Sequence, residues 1–104
     1  MGTYDEASEL ADWRPEGFDW DEYNENKIRN KHGVFKEECE DVLTMPKLRI
    51  FRDTAHSQIE ERYFAYGLTE AGRRLYIVFT RRGELIRVIS ARDMSEREMK
   101  RYEA

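Results

Sequence analysis

Six side chains in this sequence carry the chemistry needed to work on a phosphodiester: Arg87, Arg82, Arg92, His56, Glu60 and Tyr102. A guanidinium stays protonated and presents a rigid fork of donors. It therefore steadies charge on a phosphate but does not move protons. Arg87 is the first choice for that task, followed by Arg92 and Arg82. Proton transfer falls to the other three. A histidine ordinarily titrates near neutrality, which suits His56 to donate or accept. Glu60 can act as a base or orient an arginine, and orientation is the better fit. Tyr102 offers a phenol. Each has a plainer structural reading as well. His56 can close a turn with Asp53, Arg87 can pair with Glu60 or Glu61, and Tyr102 can anchor a helix.

Arg87 lies in the middle of "ELIRVIS", which alternates like a β-strand. Successive side chains of a strand point to opposite faces, so Ile86, Val88 and Ser90 point one way and Arg87 the other. If helices cover the Ile86 and Val88 face, Arg87 emerges on the uncovered one. There a partly shielded guanidinium exerts a stronger field on an anion.

The elements that position these residues can be read from period and punctuation. Trp20, Asn24 and Ile28 recur at helical spacing, with Asp19 or Asp21 to cap the start and His32–Gly33 to stop the helix. A second helix is expected over 34–44, with Phe35, Cys39 and Val42 on one stripe and Pro46 beyond its end. The period then becomes two. Residues 47–53, 61–67, 74–80 and 84–90 read as four strands, the last three joined by hairpin-sized connections containing glycine. Ser95 followed by Glu98 is a capping box that opens a final helix, and Met99 and Tyr102 would pack it down. The expectation is an α+β domain of two N-terminal helices, a four-stranded mainly antiparallel sheet and a C-terminal helix, with helices against one face.

A chain of 104 residues accommodates one small domain. Its residues 1–17 show no period and are expected to be an acidic tail, loose or forming a short added element. Residues 18–104 form the domain. The single cysteine, Cys39, excludes a disulfide framework and falls on an apolar stripe, where packing explains it. No apolar run approaches membrane-spanning length, and the acidic start lacks a secretory signal pattern; a cytoplasmic protein with no membrane partner is expected. No His, Cys or Asp cluster has metal-ligand spacing, and no glycine loop cradles a phosphate, so neither a metal nor a nucleotide cofactor is expected.

A net charge of −4 hides an uneven distribution. Residues 1–25 hold nine acids and one base, a balance of −8, and the remaining 17 bases and 13 acids give +4. From Arg73 to Arg92 six arginines face a single acid, Glu84. A local basic face is thus compatible with the acidic total.

Several stretches, in this order and spacing, resemble the BrnT toxins: "WDEYN", "KHGV", "EECEDVL", "HSQIEERYFAYG", "TEAGRRLYIVFT" and "IRVISARDMSEREMKRYE". The resemblance runs from Phe18 to Glu103. It implies a fold similar to the RelE-type ribonucleases and an RNA-cleaving toxin of a bacterial type II toxin–antitoxin pair that halts translation. It also implies a cognate BrnA-like antitoxin that binds DNA, so that operator DNA is met only through the toxin–antitoxin complex. Two positions depart from the family pattern. Asn24 stands where many members carry lysine, and Ile28 where an asparagine is common. Two readings compete with an active nuclease: a module that binds RNA or protein without cleavage, and a degenerate toxin serving as corepressor.

Overall fold

Asp21 sets the start of the first helix. Its carboxylate accepts from the backbone N–H of Asn24 at 2.8 Å, while the Asn24 side chain accepts from the Asp21 N–H at 3.1 Å. This reciprocal cap satisfies donors that the first turn otherwise leaves open. The helix ends where Gly33 takes a left-handed φ of 66°. A computed structural model describes Leu10, residues 14–54 and residues 60–104. In chain order it contains β1 (Gly17–Phe18), α1 (Glu22–His32), α2 (Lys36–Leu43), β2 (Arg49–Arg52), β3 (Arg62–Leu68), β4 (Arg74–Arg82), β5 (Leu85–Asp93) and α3 (Glu96–Glu103).

The strands form one mixed sheet in the order β1-β5-β4-β3-β2. The four long strands are antiparallel, as the alternation predicts. The fifth, β1, corrects the four-stranded expectation. It pairs parallel to β5 through Gly17 and Phe18, which are too few residues to show a period. Between β4 and β5, Gly83 at φ 62° occupies the first central position of a two-residue turn, where a side chain would be strained.

The sheet separates two cores. On one face α1 and α2 cover Ile77, Phe79, Ile86 and Val88 with Ile28, Cys39 and Val42. Leu10, from the stretch expected to be a tail, is buried in this same cluster. Burial pushes the Cys39 thiol up to about 12, as expected of a packing residue. On the opposite face lie Phe51, Phe64, Tyr66 and Met94, against which α3 places Met99 and Tyr102. The helices therefore occupy both faces, contrary to the one-sided arrangement expected. Met99 and Tyr102 supply apolar contacts for an aromatic surface that α1 and α2 do not reach.

One irregularity decides where the arginines point. The β4–β5 register shifts between Val78 and Phe79: Val78 pairs with Ser90, but Phe79 pairs with Val88. Ile89 is thus an extra residue, a β-bulge. Beyond it the alternation reverses. Ala91 turns into the first core, and Ser90 joins the far face instead of the Ile86 and Val88 face. Arg87 and Arg92 are five positions apart and would face opposite ways on a regular strand. The bulge puts both on the face opposite α1 and α2.

Candidate functional site

Arg87 pairs across the sheet with Thr80, and Arg82 with Leu85, so the two guanidiniums rise diagonally from the same face. Arg87 is largely covered, with 17% of its side chain exposed. It donates to the Asp19 carbonyl at 3.1 Å and to the Asp21 carboxylate at 2.8 Å. These bonds tie the strand to the junction of β1 and α1, and they replace the expected pairing with Glu60 or Glu61. Arg82 is half exposed and, among the described residues, makes no hydrogen bond. Its ion pairs are long, 3.9 Å to Asp19 and 3.9 Å to Glu60. Its donors are thus open to an incoming anion.

Asp19 is where the two cations meet. Its carboxylate lies 3.8 Å from Arg87 and 3.9 Å from Arg82. Neither contact is within hydrogen-bond range. Asp21, by contrast, has one oxygen on the α1 cap and the other on Arg87. The Asn24 N–H first, and then Arg87, hold its carboxyl below the usual range.

Arg92 belongs to a second cluster. Its guanidinium lies 4.2 Å from the Tyr76 ring centroid and forks onto Glu98 of α3 at 2.7 and 2.9 Å. That bidentate pair raises the Arg92 pKa. Burial opposes ionisation of Glu98, but Arg92 and Ser95 together outweigh it and hold its carboxyl low. Burial likewise lifts the Tyr76 phenol. Tyr76 and Thr80, the partners of Arg92 and Arg87, are four residues apart on β4, about 13 Å at strand rise. Tyr102 donates to the Lys47 carbonyl at 3.0 Å and packs on the far-face core. That places it on the β2 side of the sheet, three strands from β5.

Arg82, Arg87 and Glu60 are therefore brought together, while Arg92 and Tyr102 sit elsewhere on the same face. His56 lies outside the described residues. The six arginines from Arg73 to Arg92 do not form one surface, because the sheet divides them. Arg74 shares the far face with Arg82, Arg87 and Arg92, whereas Arg81 pairs with Ile86 on the covered side. Arg73 clips β4 to the α1–α2 turn. It bonds Asp93 at 2.8 Å, Glu38 at 3.0 Å and the Gly33 carbonyl at 3.0 Å. The Asp93 bond leads in raising the Arg73 pKa, and Arg73 in turn lowers that of Asp93.

Sequence reasoning used Asp19 only as a capping alternative and missed it as a site residue. Its partners, Arg82 and Arg87, are more than sixty positions away, so no local signal in "FDWDEYN" marks it. Of the two aspartates weighed as caps, Asp21 caps α1 and Asp19 does not.

The family model of BrnT, the ribonuclease toxin of type II toxin–antitoxin systems, matches residues 20–98. The chain belongs to the BrnT family. Comparison with curated proteins gives no match. BrnT membership brings with it ribonuclease activity and an antitoxin partner. The matched span contains Arg82, Arg87, Arg92, Glu60 and His56; it stops short of Tyr102 and begins one residue after Asp19. Asn24 and Ile28, the two departures from the BrnT pattern, both have structural work here. The Asn24 amide donates to the Val88 carbonyl at 2.7 Å, pinning α1 to β5, and Ile28 is core. No described helix is long and apolar enough to cross a membrane. Among the described residues no group of three or more His, Cys, Asp and Glu could hold a metal ion.

Proposed function

We propose that this BrnT chain is a metal-independent endoribonuclease whose centre is the Arg82–Arg87 pair. The observation that carries this reading is their convergence on one carboxylate, which puts both guanidiniums within the span of a single anion. In RNA the 2′-hydroxyl attacks the adjacent phosphorus, and negative charge builds on the non-bridging oxygens. Arg87, held by Asp19 and Asp21, and Arg82, with open donors, stabilise that charge without reorganising. Glu60 orients Arg82. His56 protonates the departing 5′-oxygen. Arg92 and the Tyr76 ring meet the RNA further along the strand rather than at the cleaved bond, and Tyr102 anchors α3.

The same reading gives the protein a RelE-like fold and an RNA-cleaving activity that halts translation in the bacterial cytoplasm. A DNA-binding, BrnA-like antitoxin neutralises it, and operator DNA is bound only by the complex.

Purified protein incubated with RNA in EDTA tests the chemistry. The expected products end in 2′,3′-cyclic phosphate and 5′-hydroxyl, and Arg82→Ala lowers the rate about 10²-fold or more with an unmoved urea midpoint. Cleavage abolished by EDTA, or an Arg82→Ala protein as fast as wild type, would contradict the proposal. RNA binding without any cleavage would favour the non-catalytic module. For His56→Gln, slower cleavage with a flatter pH profile is expected; an unchanged profile removes His56 from the reaction.

A further inference from the structure

Cleavage by the 2′-hydroxyl needs a group that takes its proton, and Arg82 and Arg87 cannot do so. We infer that Asp19 is that proton acceptor, an assignment that rests on the ribonuclease reading of the Arg82–Arg87 pair.

The acids around the pair are not equivalent. Asp21 is committed, with one oxygen on the Asn24 N–H and the other on Arg87. Among the described residues Glu60 reaches Arg82, at 3.9 Å, and not Arg87. Asp19 alone among these three approaches both guanidiniums, and its carboxylate accepts no hydrogen bond among the described residues. Its lone pairs are therefore available. A phosphate held by Arg82 and Arg87 lies beside this carboxylate. The 2′-hydroxyl next to that phosphate is then within its reach.

The backbone fixes the acceptor in place. The Asp19 N–H donates to the Ile86 carbonyl at 2.8 Å, and the Asp19 carbonyl accepts from Arg87 at 3.1 Å. The residue is held through main-chain atoms, so its carboxylate is not consumed in building the fold. The charged groups facing it are Arg82 from β4 and Arg87 from β5. Glu60 pairs with Arg82 and Asp21 with Arg87. Two cations thus flank a carboxylate whose oxygens accept no hydrogen bond among the described residues.

The step balances. The 2′ O–H bond breaks and its proton passes to Asp19. The 2′-oxygen bonds to phosphorus and the P–O5′ bond breaks. The 5′-oxygen takes up one proton, and Asp19 later returns one to solvent. The products are a 2′,3′-cyclic phosphate and a 5′-hydroxyl.

Asp19→Asn separates this role from its competitors, because it keeps the shape and every main-chain bond. Two quantities are measured on the purified full chain: kcat for a cleavable RNA, and Kd for the same RNA carrying one 2′-deoxy position at the cleaved bond. A proton acceptor predicts kcat lower by about 10²–10³-fold with the Kd unchanged or tighter, since a negative charge beside the phosphate has been removed. Asp19→Glu should restore part of kcat. If Asp19 only braces the arginines, Kd and kcat worsen together. If it only obstructs the site, Asp19→Asn cleaves faster. Either result overturns the assignment, as does an unchanged kcat. A wild-type chain that cleaves no RNA defeats the ribonuclease reading itself, so the two failures are told apart.

Discussion

Arg87 serves both the fold and the proposed chemistry. Its guanidinium fastens β5 to the start of α1 and aims at the point where Arg82 arrives. Arg87→Ala should therefore slow RNA cleavage about 10²–10³-fold and also cost about 1.5–3 kcal/mol of stability, the range for losing a charge-assisted hydrogen bond. Urea unfolding reads the second effect, and native far-UV circular dichroism of the variant shows that the first is not unfolding. An Arg87→Ala chain still cleaving at the wild-type rate would remove Arg87 from the chemistry. Asn24 is a purely structural counterpart. Its buried amide bonds Val88 and its oxygen completes the α1 cap. Asn24→Ala should lower the unfolding free energy by about 1–3 kcal/mol, because it leaves a buried carbonyl unpaired. Much of the site was legible at this scale. Residue type pointed to arginine, and the alternation of "ELIRVIS" within the arginine-rich run from Arg73 to Arg92 pointed to Arg87 and Arg82. Asp19 was not legible as a partner, because its contacts come from residues more than sixty positions away in sequence.

At the scale of elements, α1, α2, α3 and the four long strands follow from period, caps and glycine turns, all of which are local signals. The Ile89 bulge left none. A strand reads the same with or without one extra residue until its partner is known, and this hid the shared face of Arg87 and Arg92. The two-residue β1 was invisible for a similar reason: its evidence is the pairing with Leu85 and Ile86. Close packing of α2 on β3 depends on Gly67. A Cβ built there would lie 2.7 Å from Val42 Cγ1 and 3.4 Å from Leu48 Cδ1. Gly67→Ala should push α2 off the sheet at a cost of about 1–3 kcal/mol. A thermal melt equal to wild type would show that Val42 yields freely.

At the scale of the whole molecule, carboxylates hold arginines in or beside β4 and β5. Asp21 holds Arg87, Asp93 holds Arg73 and Glu98 holds Arg92. All three acids have folded-state pKa values below their ordinary ones. Such groups contribute stability that is present above the unfolded carboxylate pKa, about 4, and is lost as pH falls through the lower folded values. The urea midpoint should hold steady from pH 7 to about 5 and drop below about 4. A midpoint that rises on acidification would contradict these pairings. The arrangement also reconciles the acidic total with an anionic substrate. Of the four far-face arginines between Arg73 and Arg92, only Arg82 has no partner within hydrogen-bond distance among the described residues.

A double-mutant cycle on Arg82 and Arg87, read as kcat/KM for RNA cleavage, addresses the central idea most directly. If both guanidiniums act on one phosphate, Arg82→Ala and Arg87→Ala each lose about 10²–10³-fold. The double variant then loses clearly less than the product of the two. Losses that simply multiply, or either single variant cleaving like wild type, would mean that the two arginines do not share an anion.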